Sequence, residues 1–275
     1  MPLDSLPSLG VRQHLAAVDG SLLFLEPSAE KPYSYNYDPP EGVARTNTVY
    51  TPYLVSIADA RPIADTLSLD VDGFVLARHG SAVTDFHDDA QAGSTGRSEA
   101  GALVAEWTGA SRVVVFDHTV RRRAPDAARQ PSNRAHNDYT EGSGPQRVRD
   151  LMAGEADTLL RGRVAFINVW RPIRWPAQDW PLALCDARSV AQDDLIASDL
   201  VYPDRRGETY AVAYAPDQRW SYFPAMQLDE AVLIKCYDSE RDVARFAAHT
   251  AFQDPKTPAD APPRESIEFR TIAFF

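Results

Sequence analysis

The sequence predicts a mainly β fold with helical additions, of the sandwich, jelly-roll or barrel kind. Three observations carry that reading. Short β-branched and aromatic runs recur through the second half, turn residues separate them closely, and only two stretches have helical spacing. Up to about residue 60 the chain is rich in Pro, Tyr, Asn and Asp, an aromatic content that marks a segment packing on a body. Asp72 to Leu76 has the turn-then-apolar order of a strand. Ser98 to Thr108 predicts a helix with Ser98 as N-cap and an apolar stripe of Ala102, Leu103 and Trp107. Arg112 to Phe116 is β-branched enough for a short buried strand. A polar stretch from Arg121 to Arg134 follows, long enough to be a functional loop and a candidate lid.

Ser143-Gly-Pro145 opens a second helix that the pattern carries to about Leu160, with Pro near the first helical position. Val164 to Trp170 reads as a strand. Glu208 to Tyr214 and Trp220 to Phe223 flank the turn sequence Ala215-Pro-Asp-Gln218 and predict a hairpin. Ala231 to Tyr237, Val243 to Thr250 and Ser266 to Phe275 complete the strands. No internal repeat interrupts them, so residues 1–275 are expected to form one domain.

Composition narrows the function. At 44% hydrophobic and 24% charged residues, the 275-residue chain can bury a sizeable core. A net charge of −11 repels phosphate backbones, which excludes nucleic acid as an expected partner. The short basic run Arg121-Arg122-Arg123 reads as a solvated loop. Cys185 and Cys236 are far apart and form no disulfide framework, which fits a reducing compartment. The N-terminal residues lack the basic-then-apolar order of a signal peptide, and no apolar run reaches the roughly 20 residues of a membrane span. The expected location is cytoplasmic, with no membrane partner.

Of the six histidines, two open a His-x-Asp tripeptide, His87-Asp88-Asp89 and His136-Asn137-Asp138. On a strand, residues two apart share a face, so an imidazole and a carboxylate can grip one metal together. A further histidine from a distant strand completes a facial triad with open positions for a co-substrate and oxygen. Downstream of His136 the only such histidine is His249, followed by Arg264 and Ser266. A guanidinium suits the distal carboxylate of 2-oxoglutarate, and a hydroxyl two residues on falls on the same face. Arg264, Ser266, Glu268 and Arg270 share one face of the last strand, Ile267 and Phe269 the other. Each element alone also fits a polar turn or a surface ion pair; the ordered set points to a metal site. His87 reads as a surface turn residue, and His14, His79 and His118 as ordinary. Tyr139, Trp170, Trp175, Trp180, Trp220, Tyr222 and Phe223 offer aromatic area for an apolar pocket or for the core.

Several stretches resemble one family of iron(II)/2-oxoglutarate dependent oxygenases. They are His136-Asn-Asp-Tyr-Thr140, Asn168-Val-Trp-Arg-Pro-Ile173, Pro181 to Ser189, Asp199 to Pro203, Tyr222-Phe-Pro224, Lys235 to Ser239, His249 to Phe252 and Pro263 to Arg270. The family includes the cephem 7-methoxylation component, gibberellin desaturase-like proteins and fungal hydroxylase/desaturases of secondary metabolism. The resemblance spans nearly the whole chain and is strongest from residue 130 onward. It implies a double-stranded β-helix (jelly-roll) core, with residues 131–275 as the metal- and co-substrate-binding part and 1–130 as a packing extension with the first strands and helix. It assigns iron to His136, Asp138 and His249, and 2-oxoglutarate to Arg264 with Ser266, with Arg270 as a further contact. Tyr139, Trp170, Arg171 and Trp220 become candidates for the substrate pocket. The implied reaction is hydroxylation or desaturation of a small molecule with molecular oxygen. The alternatives from other classes are a non-catalytic small-molecule-binding jelly roll and a cupin-type metal-dependent hydrolase or isomerase, which has no need of Arg264.

Overall fold

The computed structural model describes residues 15–275, so His14 lies outside the described residues. Two curled sheets face each other as a jelly roll. The larger has nine strands in the order β1 (Ala17–Leu25), β3 (Tyr50–Asp59), β11 (Trp220–Tyr222), β8 (Leu182–Cys185), β13 (His249–Ala251), β6 (His136–Asn137), β10 (Arg206–Val212), β9 (Leu195–Val201) and β2 (Tyr33–Tyr35). The smaller has five: β4 (Phe74–Arg78), β12 (Glu230–Asp238), β7 (Val164–Pro172), β14 (Glu265–Phe274) and β5 (Arg112–Arg122). Both sheets draw strands from either side of residue 130. The proline- and tyrosine-rich start supplies β1 and β3, whose alternating burial pairs them along their whole length. In the sequence they carry only the short apolar runs Leu22–Leu25 and Tyr53–Val55 and read as part of an unspecified extension.

The small sheet is covered on both faces. Every residue of β7 and β12 is buried, one face toward the large sheet and the other toward outer packing. Helix α1 (Arg97–Thr108) lies against β5 and β14. It does not begin at Ser98. A wide turn at Ala92–Gly96 runs into it from Asp88, whose carboxylate accepts the amides of Ala90 and Gln91. Gly96 lets the entering turn approach β14: a Cβ there would stand 2.8 Å from the Phe269 ring.

Four other expectations change. The helix from Ser143 reaches Leu159 only in pieces: α2 (Ser143–Met152) breaks at Ala153, whose φ of 29° no helix accommodates, and one further helical turn follows at Ala156–Leu159. The strand from Arg112 continues to Arg122 as the half-buried edge of its sheet. Only the end of Val243 to Thr250 is extended, from His249. The expected hairpin is absent. The turn at Ala215–Gln218 forms, with the Gln218 amide bonded to the Ala215 carbonyl at 3.2 Å. Its flanking strands nevertheless separate: β10 pairs with β6 and β9, while β11 pairs with β3 and β8. In a jelly roll β8, β13 and β6 insert between them, a non-local pairing that a turn signal cannot reveal.

Candidate metal centre

Register builds the site. His249 on β13 is the direct cross-strand partner of His136 on β6, and Asp138 follows two residues later. Directly paired residues share a face at close range, so the two rings meet with centroids 4.5 Å apart. His136 Nε2 lies 3.5 Å from Asp138 Oδ1. Among the described residues these three form a group whose donor atoms all lie within 4.8 Å of one another.

Each side chain is aimed by a partner. His136 Nδ1 sits 2.8 Å from the Arg134 carbonyl, and His249 Nδ1 3.0 Å from that of Ala247. Donation there leaves both Nε2 lone pairs turned to the common space. Asp138 Oδ2 accepts from Asn168 Nδ2 at 2.8 Å and Arg270 Nε at 3.2 Å, so Oδ1 stays available. Burial works against ionisation of Asp138, but Arg270 and the two histidines outweigh it and hold the carboxyl well below its ordinary range. Burial, then the neighbouring His136, hold the His249 imidazole below 6.5 and therefore neutral.

The donor set fits iron(II): two imidazoles and a carboxylate on one face are the facial arrangement of non-haem iron sites. His249 Nε2 adds the specific sign. It is buried without any hydrogen-bond partner, which costs on the order of 1–3 kcal/mol unless something binds it.

The small sheet supplies the opposite wall, in rows. Asn168, Arg270 and Asp117 form one row across β7, β14 and β5; Trp170, Glu268 and Thr119 the next; Pro172, Ser266 and Arg121 the third. Arg264 enters just before β14, only 2% exposed. Its Nη1 donates to the Trp180 carbonyl at 2.6 Å, its Nε to Ser266 Oγ at 3.2 Å, and its guanidinium lies over Trp170 at 5.1 Å. Trp180 holds a left-handed φ of 47°, a strained backbone that presents this carbonyl. A buried guanidinium facing a hydroxyl, with no carboxylate in ion-pair reach among the described residues, has the chemistry to receive an anion.

Other candidate residues fall elsewhere. Arg270 points donors at Asp138, Asp117, Thr119 and Glu268, so its main contacts brace a metal-ligand candidate. Arg171 points to the opposite face of β7 from Asn168 and Trp170. It donates to the carbonyls of His79 and Leu228 and covers the Phe86 ring. Trp220 pairs with Cys185, one residue beyond the Leu184 that pairs with His249, and so faces away from the site. It packs against Phe24 in a separate apolar cluster. Tyr139 packs on Phe166 at 4.2 Å, next to the Asp138 end. Trp175 is bonded to the Pro263 carbonyl, and His87 to the buried Glu265. Sequence reasoning missed Asn168, Thr119 and Arg121. Their only signal is strand alternation, and it becomes legible once the register is known.

Two facing sheets that gather a partly buried His-Asp-His group opposite an arginine with no carboxylate in ion-pair reach among the described residues have the arrangement of a metal-dependent jelly-roll oxygenase. The comparisons with known proteins agree. A family model described as an oxidoreductase/YMDC permease-like domain matches residues 22–274. The Fe(II)/2-oxoglutarate-dependent dioxygenase nvfI of Aspergillus novofumigatus is 33% identical over 93% of this chain and 96% of its own. The hydroxylase/desaturase efuI of Hormonema carpetanum is 32% identical over 85% of this chain and 87% of its own. A solved structure of the iron and alpha-ketoglutarate-dependent endoperoxidase NvfI superposes with a TM-score of 0.87 at 31% identity, covering 94% of this chain and 98% of that one. The chain belongs to the Fe(II)/2-oxoglutarate-dependent dioxygenase family that contains the fungal hydroxylase/desaturases.

Proposed function

We propose that this enzyme hydroxylates or desaturates a small, largely apolar metabolite at the space between its two sheets, with His136, Asp138 and His249 holding iron and Arg264 with Ser266 seating the distal carboxylate of 2-oxoglutarate. The observation that carries the reading is the buried, partnerless Nε2 of His249 beside two further donors. Iron(II) bound there supplies oxygen activation coupled to decarboxylation of 2-oxoglutarate to succinate. The chain's own residues then orient the reactants. Asn168 and Arg270 fix one oxygen of Asp138, and the backbone carbonyls of Arg134 and Ala247 fix both imidazoles. Trp170 supports the Arg264 guanidinium from below. An unpaired Arg264 is what a cupin-type hydrolase would lack a use for, and it favours the oxygenase over that rival.

The whole chain is taken as one oxygenase domain, since each sheet needs strands from both halves. Cytoplasmic residence is supported by Cys185 and Cys236, both buried and unpaired. No helix among the described residues is long and apolar enough to cross a membrane. The polar residues after β5 connect the edge of the small sheet to β6 of the large one, touching β13 through Ser132 on the way. That course supports a lid at the mouth.

The test is anaerobic titration with iron(II). Wild type is expected to bind one equivalent, and His249→Ala to bind at least about tenfold more weakly, as loss of a metal ligand requires. Succinate formation from 2-oxoglutarate should vanish in parallel. Unchanged metal affinity in that variant would sink the assignment.

A further inference from the structure

Arg121 does not lie in a solvated loop. It is the penultimate residue of β5, half-buried, and the direct cross-strand partner of Ser266 on β14. Paired residues in adjacent strands project from the same face with Cβ atoms roughly 5 Å apart. Arg121 therefore stands beside the hydroxyl that accepts from Arg264 Nε. Its Nη1 donates to the Gln130 carbonyl at 3.0 Å. Among the described residues, no carboxylate lies in ion-pair reach of the Arg121 or the Arg264 guanidinium. Glu268, the nearest acid on this face, is engaged by Arg270 at 2.6 Å.

Two like charges thus share one wall with no carboxylate in ion-pair reach of either among the described residues. Burial first, and Arg121 next, push the Arg264 guanidinium down to about 9. Such an arrangement costs stability in the empty protein and is repaid when an anion arrives. Arg123, two residues on, faces the same way but is neutralised by Asp179. Arg121 alone of the basic run keeps its charge for a ligand.

Resting on the oxygenase reading above, we infer that Arg121 is a second cationic contact of the co-substrate seat, gripping with Arg264 the distal carboxylate of a C5 dicarboxylate. Arg264 holds it from the buried side, and Arg121 from the β5 edge. Through Gln130 the same guanidinium ties the seat to the segment that crosses the mouth.

The experiment measures 2-oxoglutarate binding to the full-length, anaerobic iron(II)-loaded protein by calorimetry, with unfolding temperatures of the metal-free and fully loaded forms beside it. Arg121→Gln is expected to raise the Kd for 2-oxoglutarate about tenfold to a hundredfold, as loss of a charge-assisted contact does. Its metal-free unfolding temperature should stay level or rise, because a like-charge repulsion is removed, while the rise on loading shrinks. In the double variant with Arg264→Gln, the two losses should be less than additive in free energy, since both act on one carboxylate. Should the glutamine variant not fold, Arg121→Lys keeps a charge but loses the planar fork, with a weakening of roughly three- to tenfold. A Kd within about twofold of wild type in whichever variant folds overturns the inference, whether or not the metal-free protein is destabilised. So does weakened binding of the oxidised substrate with 2-oxoglutarate unaffected. Failure of wild type itself to bind 2-oxoglutarate would instead remove the oxygenase reading.

Discussion

Two arginines six residues apart in the sequence have opposite surroundings. Arg264 is the buried cation without an acid; Arg270 has acids on every side, and Glu268, Asp138 and Asp117 raise it despite burial. Arg264→Leu is therefore expected to weaken 2-oxoglutarate binding at least tenfold, roughly the value of a charge-assisted contact, with iron affinity nearly intact. Arg270→Leu should do the reverse, costing about 10–100-fold in iron affinity by freeing Asp138. Calorimetry with each ligand separates the two, and equal effects on both would refute the division of labour. His249 gives a pH signature. Unfolded, its ring protonates as the pH falls through about 6.5, whereas the folded ring stays neutral to a lower value. The metal-free protein should accordingly lose stability from about pH 6.5 downward. Asp138, whose folded carboxyl is held below an acid's ordinary range, keeps its contribution until far lower pH. Denaturant midpoints at about pH 7.5 and 5.5 check this, and His249→Gln should narrow their difference.

Strand β14 carries the site on one face and the outer packing on the other. Its inward residues Ser266, Glu268 and Arg270 alternate with Ile267 and Phe269, both buried, and Phe269 lies under the turn that enters α1. Alternation alone makes the polar face legible in the sequence. The apolar face is packed over in turn by α1 and the turn that enters it. Gly96 is the point of closest approach. Gly96→Val would drive a branched side chain into the Phe269 ring and is expected to destabilise by about 1–3 kcal/mol, the usual cost of overpacking. Chemical denaturation measures it, and a loss below about 0.5 kcal/mol would mean that α1 shifts freely over the sheet.

At the scale of the whole molecule, an acidic surface encloses a cationic wall. The chain carries −11 overall, yet Arg121 and Arg264 stand on an inner face with no carboxylate in ion-pair reach among the described residues, while Arg270 is offset by Glu268, Asp138 and Asp117. Such a charge distribution is expected to repel polyanions at the surface and to favour a small dianion at Arg121 and Arg264. Trp170 and Tyr139 at the metal side leave apolar area beside the charges. Small apolar metabolites are accordingly expected to stimulate decarboxylation of 2-oxoglutarate, and peptides and oligonucleotides to leave it at the uncoupled rate. A panel assay for succinate decides the matter: stimulation by a peptide alone would overturn a small-molecule substrate.

The sequence by itself determined the mainly β class, the strands around Val164, Ala231 and Ser266, and the short set from which the site is drawn. Those features are local: strand periodicity, a His-x-Asp tripeptide and the i, i+2 spacing of Arg264 and Ser266 are all readable within a few residues. Tertiary structure alone decided which strands are neighbours. Pairing of β13 with β6 sets His249 against His136, and pairing of β11 with β8 turns Trp220 away from both. Likewise the partnership of β5 with β14 places Arg121 in the wall of the site instead of a loop. Such contacts join residues from 35 to 145 positions apart, and a one-residue change in register would reverse every face. No local pattern fixes that register; burial of both sheets against each other does.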